Sequence, residues 1–426
     1  MKEITLLTEA WYRDQPYNIS FPDSWDVHVL GDLNIPALST DEIQHQIKQP
    51  ISGPSIGSIV NAGSRVVIIV DDLTRPTPVI KPITLLINEL VQAGISEASI
   101  VIVVGSGSHV SASIEDLHFK LGKDILSRYK VVPHNCRENL VDLGRTTRGT
   151  PLFINKDVVE CDIRIGVGCI YPHPAAGYSG GSKIIAPAVA GAETTRFMHD
   201  HLKGAGRRAG PIDTQFRMEI EDIAEIIGLD FVVNMVLNTE RNIAGVFCGD
   251  RQQAHLQGIK FAKHHYTIDP IADADIVIAD MYPFDVDLQF AHDRGFWPLM
   301  SAKKRSSKVI LAACPKGIGS HDLYPISNTL FQRYSKRIKF FDRRDLGSPV
   351  EKITKLHRLY KQKSLNYRVY STGVREEDLT SVFPNAKLYR RWELLLNELT
   401  QNHTSPFTKV AVYRCAPFLI PSPGMD

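Results

Sequence analysis

The chain has 426 residues, 43% of them hydrophobic and 23% charged, the make-up of a globular protein with two or three cores rather than a disordered or fibrous one. Its 49 basic and 47 acidic residues leave a net charge of +2, which gives no electrostatic ground for binding nucleic acid or an anionic membrane. The longest apolar runs are strand-sized and the start, Met1-Lys2-Glu3-Ile4, has no signal-peptide apolar region, so the sequence reads as a cytoplasmic protein that spans no bilayer.

Ser39-Thr40-Asp41-Glu42 is a capping-box signal for a first helix. Residues 65–70, Arg-Val-Val-Ile-Ile-Val, read as a buried parallel strand. A helix is predicted over 78–93, closed by Gly94. Strands are predicted at 100–104 and 162–167, and an amphipathic helix over 215–227 stops at Gly228. Strand and helix in alternation mean βαβ units and a mainly parallel sheet. A second run of the same pattern starts near Ala274, with strands at 275–279 and 309–313, and continues through 355–360, 367–370 and 392–399. The boundary is placed around Pro270, giving domains 1–268 and 274–426. The predicted fold class is α/β: two domains, each a mainly parallel sheet flanked by helices, with the active site in the cleft between them.

Ligands of open α/β sheets bind beyond the carboxyl ends of the strands. Three chemistry-bearing segments follow predicted strands directly: Asp71-Asp72-Leu73-Thr74-Arg75, Gly105-Ser106-Gly107-Ser108-His109, and Tyr171-Pro172-His173. The third runs on into Gly177-Tyr178-Ser179-Gly180-Gly181-Ser182-Lys183. A Gly-Gly turn lets backbone approach a ligand closely, and a lysine after it can meet an anion or act as a nucleophile. Ser179, Gly180, Gly181 and Lys183 alone would suggest a phosphate cradle. His109 and His173 are general-base or metal-ligand types, although each is also ordinary as a helix-capping or turn histidine. Arg75 suits bidentate carboxylate or phosphate binding, while Thr77-Pro78 is a good helix start in its own right. Gly105 and Gly107 resemble a nucleotide loop, but GxG without GxxG is weak support for a dinucleotide site. The six cysteines, at 136, 161, 169, 248, 314 and 415, have no CxxC spacing, so a zinc or iron–sulfur site is not expected. Scattered charges such as Lys2 and Lys120 need only solvation.

These segments, taken together, resemble the nickel-pincer lactate racemases. The resemblance rests on Pro172-His173, Gly177 to Gly181, Lys183, Pro187, Glu193-Thr194 and His199 in that order, on Asp71 to Pro78, and on Gly107-Ser108-His109. It covers most of the chain. It implies a nickel-pincer nucleotide, derived from nicotinic acid and joined covalently to Lys183, with His199 as the protein ligand of nickel. It implies that His109 and His173 act as an acid–base pair on opposite faces of the substrate carbon. Asp72, Arg75, Ser179, Gly180 and Gly181 would contact the cofactor, and Arg75 the substrate carboxylate. The implied partners are a small 2-hydroxy acid and, transiently, the cofactor-synthesis enzymes.

One segment departs from the family pattern. Where the family has Tyr-Gln-x-x-Lys-Gly, this chain has Phe290-Ala291-His292-Asp293-Arg294-Gly295. The cation survives in Arg294, two hydrogen-bonding groups are lost, and His292 becomes a candidate substrate contact. The expected activity is racemisation or epimerisation of a 2-hydroxy acid larger or more polar than lactate. The alternatives are a nicotinamide-dependent dehydrogenase, disfavoured by the missing GxGxxG, and a non-catalytic carrier of the nickel cofactor, which would need Lys183 and His199 but neither His109 nor His173.

Overall fold

The computed structural model describes residues 1–204, 210–303, 305–319 and 367–422. Two compact units emerge: Leu33–His265, and a second assembled from Met1–Asp32 and Tyr266–Asp426. Both are α/β, and no helix among the described residues is long and apolar enough to cross a membrane.

The Leu33–His265 unit is built on six strands. From edge to edge they are Ile243–Gly249, Phe231–Leu237, Ile163–Cys169, Val66–Asp71, Ile100–Gly105 and Lys130–Pro133. All neighbours are parallel except the first pair. Val66 to Val70 are fully buried, as expected of a central strand covered by helices on both faces. Helix Ile80–Gln92 ends at Gly94, whose φ of 93° suits glycine, and helix Gln215–Ile227 ends at left-handed Gly228. In chain order the sheet reads 3-2-1-4-5-6. Its winding therefore reverses between Val66–Asp71 and Ile163–Cys169, the switch point where doubly wound sheets bind ligands.

The other unit has a six-stranded parallel sheet: Lys387–Tyr389, Tyr367–Tyr370, Ser307–Leu311, Ile276–Asp280, Lys409–Tyr413 and Asp26–Leu30. The edge strand Asp26–Leu30 comes from the N-terminal segment and pairs with Lys409–Tyr413. This differs from the division into 1–268 and 274–426 expected from sequence. The first 32 residues belong with the C-terminal half, because a short amphipathic strand says nothing of which sheet it will edge. The alternation expected at 355–360 lies outside the described residues. All six cysteines are buried, and none is in a disulfide.

Candidate active site

The loop after Val66–Asp71 is organised from below by a buried lysine. Lys120 is 1% exposed. Its Nζ donates to Asp71 Oδ1 at 2.6 Å and to the carbonyls of Asp72, Arg75 and Thr77 at 3.1, 3.3 and 3.1 Å. Asp71 Oδ2 accepts from Thr77 Oγ1 at 2.5 Å. One ammonium thus fixes the backbone from residue 71 to 77. Burial lowers the Lys120 pKa, and Asp71 opposes that. Solvation, the role expected from sequence, is therefore the wrong one. The available signal was phase: on helix Ile114–Arg128, Lys120 falls in register with the buried Leu117 and Leu121.

On this platform sits a carboxylate–histidine dyad. His109 Nδ1 donates to Asp72 Oδ2 at 2.6 Å, while Asp72 Oδ1 accepts from the Thr74 amide at 3.1 Å and its hydroxyl at 2.5 Å. Arg75 Nη2 lies 3.4 Å from His109 Nε2. With Nδ1–H committed to Asp72, the lone pair of the neutral ring resides on Nε2. Burial keeps His109 neutral, Asp72 opposes it, and Arg75 and Lys183 add their repulsion. Burial would raise the Asp72 carboxyl, but His109, Arg75 and Thr74 together hold it below its ordinary range. We take the pair as ionised Asp72 and neutral His109, because burial disfavours a second charge there. The influence of Lys183 on His109 brings two sequence-predicted residues into one neighbourhood. Gly107 has φ 56° and a Cβ there would stand 3.0 Å from the Pro187 carbonyl, so this glycine serves packing against residues 187–188.

The third loop is a short hairpin, Pro172–His173 against Gly177–Tyr178. His173 is buried, and its Nδ1 accepts from the Ala175 and Ala176 amides, each at 3.2 Å. Ser179 accepts from the Tyr171 amide at 2.9 Å and donates to the Cys169 carbonyl at 2.5 Å, so its hydroxyl ties the turn to the strand end. Gly180 and Gly181 have φ 78° and 57°. A Cβ on Gly181 would come within 2.7 Å of the His255 ring, and one on Gly180 within 3.0 Å of Asn234 Oδ1.

Sequence reading missed the side chains that hold this hairpin. Arg217 donates to the carbonyls of Ala176 and Tyr178 and pairs with Glu221, which accepts from the Ser182 hydroxyl. His255 Nε2 donates to the Ser179 carbonyl at 2.7 Å, and burial drives its pKa down to about 3. Asn234 Oδ1 accepts from the Gly181 amide at 2.8 Å. For Arg217 the signal was again a charge inside an apolar stripe, beside the buried Phe216 and Ile220.

His199 lies on helix Ala192–His201 and is exposed. Its Nδ1 donates to the Thr195 carbonyl at 2.8 Å, and its ring packs edge-on against Phe216, 5.0 Å between centroids. A metal-binding histidine commonly donates its other nitrogen to a backbone carbonyl in this way, leaving the Nε2 lone pair for the metal. The neighbouring His201 instead packs on Phe197. Among the described residues no group of three or more His, Cys, Asp or Glu side chains could hold a metal, and none surrounds His199. Two buried donors, Tyr178 Oη on the hairpin and Asn234 Nδ2 of the side chain that meets the Gly181 amide, have no partner among the described residues. These features fit a group that brings its own soft donors and further acceptors.

In the other unit, helix Leu288–Gly295 carries the remaining candidates. Arg294 is half-buried. His292 is fully buried, its ring 5.0 Å from Phe383, 5.7 Å from Phe296 and 6.0 Å from Tyr367. Phe290 and Ala291 are buried on the same helix.

Comparison with known proteins shows what the chain is similar to. Residues 12–210 match the family model "Lactate racemase N-terminal domain". Over 302 residues the chain is 28% identical to the lactate racemase of Thermoanaerobacterium thermosaccharolyticum, covering 69% of this chain and 70% of that protein. Over 294 residues it is 29% identical to the lactate racemase of Lactiplantibacillus plantarum, covering 67% and 68%. The chain is similar to the lactate racemases over about two thirds of its length, and the match to their N-terminal domain falls in its first half. The fold agrees as well. The lactate racemase apoprotein structure from T. thermosaccharolyticum superposes with TM-score 0.72 at 21% identity, covering 99% of this chain and all of that one. A Thermotoga maritima protein superposes with TM-score 0.66 at 16% identity, covering 92% and 99%.

Proposed function

We propose that this protein racemises or epimerises a 2-hydroxy carboxylic acid by reversible hydride transfer, using a nickel-pincer nucleotide bound to Lys183. The observation that carries this reading is the Asp72–His109 dyad in the electrostatic reach of Lys183, beside the switch point of the sheet. When bound, the cofactor supplies a hydride acceptor at its pyridinium ring and a nickel ion that His199 would ligate through Nε2. The chain's own groups handle the proton and the carboxylate. His109 Nε2 takes the hydroxyl proton, and Asp72 stabilises the imidazolium that forms. Arg75 offers its guanidinium to the substrate carboxylate. His173 serves the same oxygen from its hairpin, and Arg217 and His255 hold the carbonyls that shape that hairpin.

The test is chemical as well as kinetic. Protein made alongside the cofactor-synthesis enzymes should gain an adduct on Lys183 and about one nickel per chain, and Lys183→Ala should lose both. An adduct mapped to any other residue, or no adduct in a competent host, refutes the cofactor assignment.

The substrate we propose is a 2-hydroxy acid bulkier or more polar than lactate, because Phe290 and Ala291 replace two hydrogen-bonding side chains. Arg294 is the proposed second carboxylate cation; His292, packed among Phe296, Tyr367 and Phe383, is left to support its helix. A panel of 2-hydroxy acids followed by chiral chromatography should rank lactate below the best substrate. Arg294→Ala should chiefly raise the Michaelis constant. Lactate at the head of the panel would overturn the substrate reading and leave the cofactor reading standing.

A further inference from the structure

We infer that Lys120 is a positioning residue of the reaction: from the helix that follows His109 it grips the backbone of the loop that carries Asp72 and Arg75, and so sets how Asp72 meets His109. The kinetic arm of the inference rests on the proposed 2-hydroxy acid chemistry, the rest on geometry alone.

Two separate loops must arrive together for the dyad to exist. They leave neighbouring parallel strands side by side, at Asp71 and Gly105, and the strand ladder fixes them no further. The first loop is turned back by the Arg75 amide, which donates to the Asp72 carbonyl at 3.1 Å. The second runs through His109 to Ser113, which exchanges hydrogen bonds with Asp116 in a capping box. Helix Ile114–Arg128 therefore starts at a defined place after His109. Lys120 stands about two turns along it, and its side chain reaches back to the first loop.

The grip is a matter of donors. An ammonium has three protons and no lone pair. Those of Lys120 are shared among Asp71 Oδ1 at 2.6 Å and the carbonyls of Asp72, Arg75 and Thr77 at 3.1, 3.3 and 3.1 Å. The side chain is 1% exposed, so truncating it would strip buried carbonyls of a donor at three points of one loop. The helix that carries Lys120 is itself anchored. Its regular path breaks at Gly122, φ 75°, where a Cβ would stand 3.4 Å from Ile80. Ile80 opens the helix that follows the gripped loop.

Asp71 has a different task. It supplies the opposite charge that lets an ammonium be buried, and its other oxygen is taken by the Thr77 hydroxyl. Charge balance and backbone grip are therefore separable: the ion pair serves stability, and the carbonyl bonds serve position.

The test separates them. Lys120→Met keeps the unbranched apolar stem and leaves Asp71 uncompensated, so the urea midpoint should fall. Adding Asp71→Asn removes that charge and should bring the midpoint back toward the native value, but it restores no donor to the loop carbonyls. Turnover of the cofactor-loaded double variant should therefore stay down by about a hundredfold. A readout free of cofactor comes from NMR of histidine-labelled apoprotein. Native protein should show the deshielded His109 Nδ1 proton of a short bond to a carboxylate, and both variants should lose it. A double variant that recovers turnover and that resonance along with its stability overturns the inference. So does one that fails to fold, since Lys120 would then serve the fold rather than the site. If native loaded protein converts no 2-hydroxy acid, the proposed function falls, and the His109 resonance still decides whether Lys120 sets the dyad.

Discussion

Asp72 shows how much one side chain can decide. It receives His109 Nδ1–H on one oxygen and both Thr74 donors on the other. Asparagine there would keep the shape but could present its amide nitrogen to the ring and turn the tautomer over. We expect Asp72→Asn to lower turnover by about 10²- to 10⁴-fold, with the thermal midpoint little changed. The measurement is kcat on cofactor-loaded protein beside a melting curve. A variant that is equally active would show that the dyad is not used. The dyad itself was half legible. Motif resemblance named Asp72 and His109 separately, but no spacing rule joins residue 72 to residue 109. Their contact is a product of two neighbouring parallel strands, which only the register of Val66–Asp71 against Ile100–Gly105 brings together.

At the level of the element, the turn Gly181–Ile184 depends on space as much as on conformation. The sequence suggested glycines that admit a ligand. The structure supplies protein neighbours as well: His255 behind Gly181, and Ile170 and Asn234 behind Gly180. Gly181→Ala combines a positive φ with a 2.7 Å approach to a buried ring. It should destabilise the protein by about 1–3 kcal/mol, and it should lower adduct formation on Lys183 because the turn carrying it must shift. Urea melts and intact mass read the two effects; a neutral outcome in both would show the turn to be tolerant. Elements with strong local signals were legible. Helix Gln215–Ile227 runs between a Thr214 cap and a left-handed Gly228, and the Ser39 capping box forms as its sequence says. Buried charge was not legible, since Lys120 and Arg217 look like surface residues until their neighbours in helical phase are counted.

For the whole molecule, acid and base act on different units. His134 and His255 are buried in the Leu33–His265 unit, and burial depresses their pKa to about 4 and about 3. An unfolded histidine titrates near 6.5. Below about 6.5 the unfolded chain therefore binds protons that the folded unit refuses. That stability is fully present above about 6.5 and is lost as pH falls toward 4, by up to about 1.4 kcal/mol per pH unit for each histidine. Asp280, in the other unit, is fully buried, and burial raises its pKa to about 8. An unfolded aspartate titrates near 3.9. Here the folded unit holds the extra proton, so the contribution is complete below about 3.9 and is lost as pH rises through 8. Urea midpoints across pH 4 to 9 should fall at both ends, and Asp280→Asn should flatten the alkaline limb alone. An unchanged alkaline slope in that variant would remove Asp280 from the account.

The edge strand Asp26–Leu30 closes its sheet against Lys409–Tyr413, at the opposite extreme of the chain. A ribosome delivers Asp26–Leu30 before Leu33–His265, and Lys409–Tyr413 only after it. Leu33–His265 is continuous in sequence and emerges in between, so it can fold while the nascent N-terminal segment still lacks its partner. Until Lys409–Tyr413 is made, that segment is an unpaired strand edge, the kind of surface that invites aggregation or chaperone capture. Arrest at successive lengths should leave it sensitive to protease until residue 413 has cleared the exit tunnel.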